Sequence, residues 1–164
     1  MGGLFTATDC GNRILGLVMD GAVAAAPFLG ALSPFQADTL SVDPWPQAGG
    51  PPESLLSWLG GAFPPRPLLG FTDRKLVEPG GVTLRGLSAM GTGVAVISTW
   101  SLSPEDLHGV VRHELAHALG LDHCGVWECA LNERPHPLSL AGRSAELCPK
   151  CLRLWNQQVQ AGAA

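Results

Sequence analysis

Three imidazoles, a carboxylate and a thiol crowd into one stretch of this chain, His113-Glu114-Leu115-Ala116-His117-Ala118-Leu119-Gly120-Leu121-Asp122-His123-Cys124. Histidines at i and i+4 on a helix stand one above the other about 6 Å apart, so both rings can reach one tetrahedral ion, and zinc suits them. The third ligand must come from beyond the helix. Gly120 can take the left-handed conformation that ends a helix and swings the chain round, which returns His123 to the ion and leaves the fourth position to water. Glu114 lies beside the two helical ligands, toward the cleft edge, where it is the expected general base. A zinc-activated water with an adjacent carboxylate predicts peptide-bond hydrolysis without a covalent intermediate.

A second set of metal-type residues follows at once. Cys124 and Cys129 form one short-spaced pair, Cys148 and Cys151 another, with eighteen residues between the pairs. Four thiolates so arranged fit a closed structural zinc site; paired disulfides or buried free thiols are the weaker reading. Because Cys124 adjoins His123, this ion would lock the turn that supplies the third catalytic ligand. It would also tie a C-terminal helix, roughly 149–159, to that turn. Two zinc ions per chain are therefore expected, one catalytic and one structural. His108 and His136 read as ordinary histidines, and Cys10 as an ordinary free cysteine.

The elements that must position these residues are legible in outline. Ser103-Pro104-Glu105-Asp106 is a helix start, with Ser103 as N-cap, Pro104 at the first helical position and two acids in the positive first turn. The helix should run to Leu119. Leu107, Val111, Leu115 and Ala118 share one stripe for packing on a sheet, His113 and His117 lie on another, and Arg112 and Ala116 point outward. Strands are expected over 14–19, 39–43, 68–73, 82–87 and 94–100. The last is either an edge that accepts an extended peptide or an interior strand. Residues 22–32 read as a helix kinked at Pro27, and the Pro-rich stretch 44–67 as a surface connection with a brief helix over 53–59.

Composition sets the outer limits. A chain of 164 residues suits one domain, with a sheet and active-site-helix part over 1–120 and a zinc-stapled part over 121–164. The net charge of −4 and the scattered Lys and Arg exclude nucleic acid as a partner. The apolar run at 14–19 is too short to span a bilayer and is cut by Asp20, so no membrane is expected. Gly2 and Thr6 formally fit a myristoylation pattern, without a second membrane signal. A cytoplasmic monomer acting on a peptide or protein substrate is the expectation.

His113, Glu114, His117, Gly120, His123, Cys124, Cys129, Cys148 and Cys151 together resemble the motif of the archaemetzincins, a branch of the metzincin zinc peptidases. Leu69-Gly70-Phe71-Thr72-Asp73 and Ala95-Val96-Ile97-Ser98 also look like segments of that family. The resemblance implies a metzincin-like α+β fold: a mixed twisted β-sheet, a backing helix, an active-site helix, and a small C-terminal part with the four-cysteine zinc site and a terminal helix. It also implies peptidase activity, with aminopeptidase action in some members. Two departures stand out. Leu131 takes the place of the methionine of the Met-turn, with one residue fewer before Cys148; leucine has nearly methionine's volume, so the site should survive. The chain has no tyrosine, so Arg134 is a candidate oxyanion helper on position alone. The rival reading is a non-catalytic, zinc-stabilised peptide-binding module docking peptides on the 94–100 strand. Glu114 favours the enzyme, because a purely structural three-histidine site has no use for that carboxylate.

Overall fold

An apolar run with no polar face must pair its backbone on both sides and bury both faces. In the computed structural model, which describes residues 14–20, 36–40, 45–46, 50–62, 67–133 and 146–161, the first such run is β1 (Ile14–Met19). It lies between β2 (Gln36–Leu40) and β3 (Leu68–Thr72), parallel to both. A small antiparallel pair follows, β4 (Leu76–Val77) and β5 (Thr83–Leu84). Next come β6 (Gly86–Ala89) and β7 (Val94–Ser98). The main sheet has the order β2-β1-β3-β7-β6, and only β6 runs antiparallel. The expected mixed sheet is thus present.

Topology corrects one reading of the sequence. The 94–100 run is not an edge: β7 sits between β3 and β6, with all five of its residues buried. Its β-branched composition reflects burial on both faces. At that end of the sheet the last strand among the described residues is β6. The run expected as one strand over 82–87 is divided at Arg85, because its first half pairs with β4 and its continuation with β7. Of the strand expected over 39–43, Thr39 and Leu40 belong to β2, which begins earlier, at Gln36, and residues 41–43 lie outside the described residues. The kinked helix expected over 22–32 lies outside the described residues, as do Cys10, Arg134 and His136.

Alternating side chains divide between two cores. Leu15, Leu17, Leu69, Phe71, Ala95 and Ile97 face the active-site side, with Leu107, Val111 and Leu115 of α2 (Pro104–Ala118). Val18, Leu68, Val94 and Val96 face the other way, against Trp45 and Leu55 and Leu59 of α1 (Glu53–Ala62). α2 starts as its sequence requires: the Ser103 hydroxyl accepts the Asp106 N–H at 3.2 Å, and Pro104 opens the first turn.

α3 (Pro149–Ala161) supplies Cys151, Trp155 and Val159 to the α2-side core. It also corrects the outward placing of two α2 residues. Arg112 stacks its guanidinium over the Trp155 ring, 4.9 Å from the centroid, and Ala116 is fully buried. Both positions looked exposed because nothing in the helix itself shows that α3 covers that face. Burial beside Trp155 lowers the Arg112 pKa from its usual value, and Glu146 opposes this. Among the described residues no helix is long and apolar enough to cross a membrane.

Gly70 in β3 marks the closest approach of the second core. A Cβ there would lie 2.6 Å from Leu59 Cδ1 and 2.9 Å from Trp45 Cη2. Gly70→Ala should therefore destabilise the fold by about 1–3 kcal/mol through overpacking, read as a lowered urea midpoint with unchanged slope.

Candidate metal centre

The end of α2 is shaped by a closed hydrogen-bond pattern. Gly120 has φ +95°, its N–H donates to His117 O at 2.9 Å, and Leu121 N–H donates to Ala116 O at 2.9 Å. These are the two bonds of a Schellman motif, which needs a residue comfortable at positive φ. The β6–β7 turn completes the cap: Gly91 N–H reaches His117 O at 3.0 Å and Gly93 N–H reaches Ala118 O at 2.8 Å. The helix end, the reversing turn and the sheet edge are thereby joined.

This turn brings His113, His117 and His123 together, with their ligand-type atoms within 4.8 Å of one another. Ring centroids are 4.5 Å apart for His113 and His117, 4.6 Å for His117 and His123, and 5.4 Å for His113 and His123. Each outer nitrogen faces an oxygen. His113 Nδ1 is 2.8 Å from Ala130 O, His117 Nδ1 is 2.6 Å from Leu121 O, and His123 Nδ1 is 3.9 Å from a Glu133 carboxylate oxygen.

A carbonyl oxygen only accepts, so Nδ1 of His113 and of His117 must carry the proton. In the neutral rings Nε2 is then a bare lone pair. The two Nε2 atoms are 3.1 Å apart, and two acceptors at that distance repel unless a cation lies between them. The donor set fits a divalent ion such as zinc, with outer-shell oxygens fixing the tautomers.

Glu114 follows His113 on the same helix and turns its side chain onto β6, where Ser88 Oγ–H donates to Oε2 at 2.9 Å. His108 belongs to neither metal-type cluster found among the described residues.

The four sulfurs of Cys124, Cys129, Cys148 and Cys151 also lie within 4.8 Å of one another, and none of the four forms a disulfide. Cys124 Sγ and Cys148 Sγ are 3.8 Å apart, the edge expected of a tetrahedron whose corners lie about 2.3 Å from a central zinc. Backbone N–H groups already address these sulfurs, Val126 to Cys124 and Cys148 to Cys129 each at 3.4 Å. The Cys151 N–H holds the Cys148 thiol down to about 7, whereas burial pushes Cys129 and Cys151 up. Metal uptake at this cluster must displace the protons that burial retains.

The segment 129–132 serves both clusters. Ala130 O orients His113, Leu131 O accepts the Cys124 N–H at 2.8 Å, and Asn132 Nδ2 donates to Cys124 O at 3.1 Å. Leu131 is fully buried among the apolar residues that pack under α2. Sequence reading missed Asn132, Ser88 and Glu133, because no local pattern marks them. The carbonyls of Ala130 and Leu121 carry no signal at all, since every residue has one.

A mixed sheet packed on an HExxH helix, with a glycine turn returning a third histidine, defines a metzincin-like α+β protein. Its sequence relatives include archaemetzincins, and its structural neighbours share this fold. The chain is 31% identical to the archaemetzincin of Pyrococcus horikoshii, the match covering 60% of each chain. The match thus spans about three fifths of that relative's length. The crystal structure of the Methanopyrus kandleri archaemetzincin shares the fold at a TM-score of 0.72 and 21% identity, covering 92% of this chain and 97% of that one. A zinc-dependent peptidase from Methanocorpusculum labreanum does so at 0.64 and 19%, covering 88% and 99%. No protein-family model matches the chain.

Asn132 holds the joint at which the two clusters meet. Asn132→Ala should lower the metal retained by both during dialysis against a chelator, and destabilise the fold by about 1–2 kcal/mol through the lost buried hydrogen bond. Loss from one cluster alone would show that the turn does not couple them.

Proposed function

We propose that this chain is a zinc metallopeptidase in which His113, His117 and His123 hold a catalytic zinc and Glu114 is the general base. Cys124, Cys129, Cys148 and Cys151 hold a second, structural zinc in this reading. The observation that carries it is the approach of the His113 and His117 Nε2 atoms to 3.1 Å with a carbonyl oxygen behind each ring, the third imidazole beside them and a carboxylate on the adjoining residue. The archaemetzincin and zinc-dependent peptidase names of its relatives support the same class.

A zinc ion on these imidazoles supplies Lewis acidity, which acidifies water and polarises a scissile carbonyl. Glu114 then takes a proton from the attacking water as its oxygen bonds to the carbonyl carbon, and gives that proton to the leaving amine nitrogen as the C–N bond breaks. His113 and His117 hold their geometry through the carbonyls behind them. Among the described residues β6 is the last strand at that end of the sheet and the one against which Glu114 packs, and an extended peptide pairing there gains backbone hydrogen bonds next to the base. The family resemblance implies removal of amino-terminal residues for some members, which makes end-trimming and internal cleavage the two forms to distinguish.

Metal analysis of the purified protein should find two zinc ions per chain; one ion with alkylatable thiols would sink the four-cysteine assignment. A peptide library with free and blocked amino termini should be cleaved by the native chain, the free-ended half preferentially if it trims ends. Glu114→Gln should lower kcat by about 10²–10⁴-fold with zinc content unchanged. Equal cleavage by both forms, or by neither, would remove the peptidase reading.

A further inference from the structure

The geometry points to a positioning residue for the reaction, Ser88, which with Gly86 forms a seat on β6 that holds the carboxylate of Glu114. The inference rests on Glu114 acting as the base. Gly86 and Ser88 are two apart on one strand and so face the same side. Both meet Glu114. The Ser88 hydroxyl donates to Oε2 at 2.9 Å. At Gly86 a Cβ would lie 2.5 Å from Glu114 Cγ and 3.0 Å from Cδ and Oε1. Gly86 has no positive φ, so its missing side chain serves space rather than backbone conformation. One carboxylate oxygen is thus tethered, and the other lies above a residue with no side chain.

A glutamate has three rotatable side-chain bonds, and its own helix constrains only the first. A base works only when held within about 0.5 Å of its productive position. The seat is itself registered to α2. Ser88 pairs with Ala95 of β7, and the turn between these strands donates Gly91 N–H to His117 O and Gly93 N–H to Ala118 O. The strand that positions the base is therefore tied to the helix end that carries His117, so the base and the imidazoles keep a common frame.

The test uses the zinc-loaded native chain, Ser88→Ala, Ser88→Thr, Gly86→Ala, Glu114→Gln and the double variant Ser88→Ala/Glu114→Gln. Ser88→Ala should lower kcat about tenfold, the worth of one hydrogen bond to a charged group, with KM and zinc content unchanged. Ser88→Thr should restore kcat because it keeps the hydroxyl, and Ser88→Ala should add nothing to Glu114→Gln. Gly86→Ala should lower kcat in the same way. In crystal structures of Ser88→Ala and Gly86→Ala, the Glu114 carboxylate should leave its native position. A native kcat in Ser88→Ala, or loss of zinc there without recovery in Ser88→Thr, overturns the proposal. If the native chain cleaves no peptide, the reading of Glu114 as base fails; a Glu114 that stays in place in both crystal structures overturns the seat independently.

Discussion

Two backbone carbonyls decide the state of the site. Ala130 O and Leu121 O engage the outer nitrogens of His113 and His117 at 2.8 Å and 2.6 Å. A carbonyl cannot donate, so in the neutral rings each remaining nitrogen presents a lone pair, and these two nitrogens lie 3.1 Å apart. Facing lone pairs of that kind suit a cation between them. Everything else in this half of the molecule can be understood as what keeps those carbonyls where they are.

Leu121 O is placed by the Schellman closure at Gly120, and Ala130 O by the short segment that passes Cys124. That segment is pinned from both ends, by Leu131 O and Asn132 Nδ2 on the Cys124 backbone and by the cysteine cluster itself. The two metal-type clusters are therefore one mechanical unit. The cysteine cluster fixes a turn whose carbonyls set the tautomers of the histidine cluster, a clear case of an outer shell determining an inner one. Leu131 fits this picture. Its backbone supplies the bond to Cys124, and any residue can do that, while its side chain fills buried apolar space that leucine fills as well as methionine.

On the other side of the helix the constraint runs through the sheet edge. β6 is short and antiparallel, and its turn with β7 feeds N–H groups into the last carbonyls of α2. A helix C-terminus leaves such carbonyls without partners in its own structure, so the hairpin satisfies them and fixes the helix on the sheet at once. Glu114 lies between these two elements. Its position is set by strand and helix jointly rather than by its place next to His113.

The gathering of the candidate metal ligands was legible in the sequence because it is encoded locally. Spacing of i and i+4 puts two imidazoles on one face, Gly120 supplies the positive φ that the turn demands, and Ser103 with Pro104 starts the helix; each needs only a few consecutive residues. The cysteine cluster was legible for a different reason, since short-spaced thiol pairs have few uses. Long-range pairing was not legible. Both faces of β7 are apolar whether its neighbours are one strand or two, so only the sheet itself could show that β7 lies between β3 and β6. Likewise Arg112 and Ala116 face outward on an isolated helix, yet in the fold Arg112 meets Trp155 of α3 and Ala116 is buried in the core that α3 joins. The sequence by itself determined which atoms can bind and react. The tertiary structure decided which carbonyls, hydroxyl and glycine hold them, because those contacts join residues far apart in the chain through groups that no local pattern distinguishes.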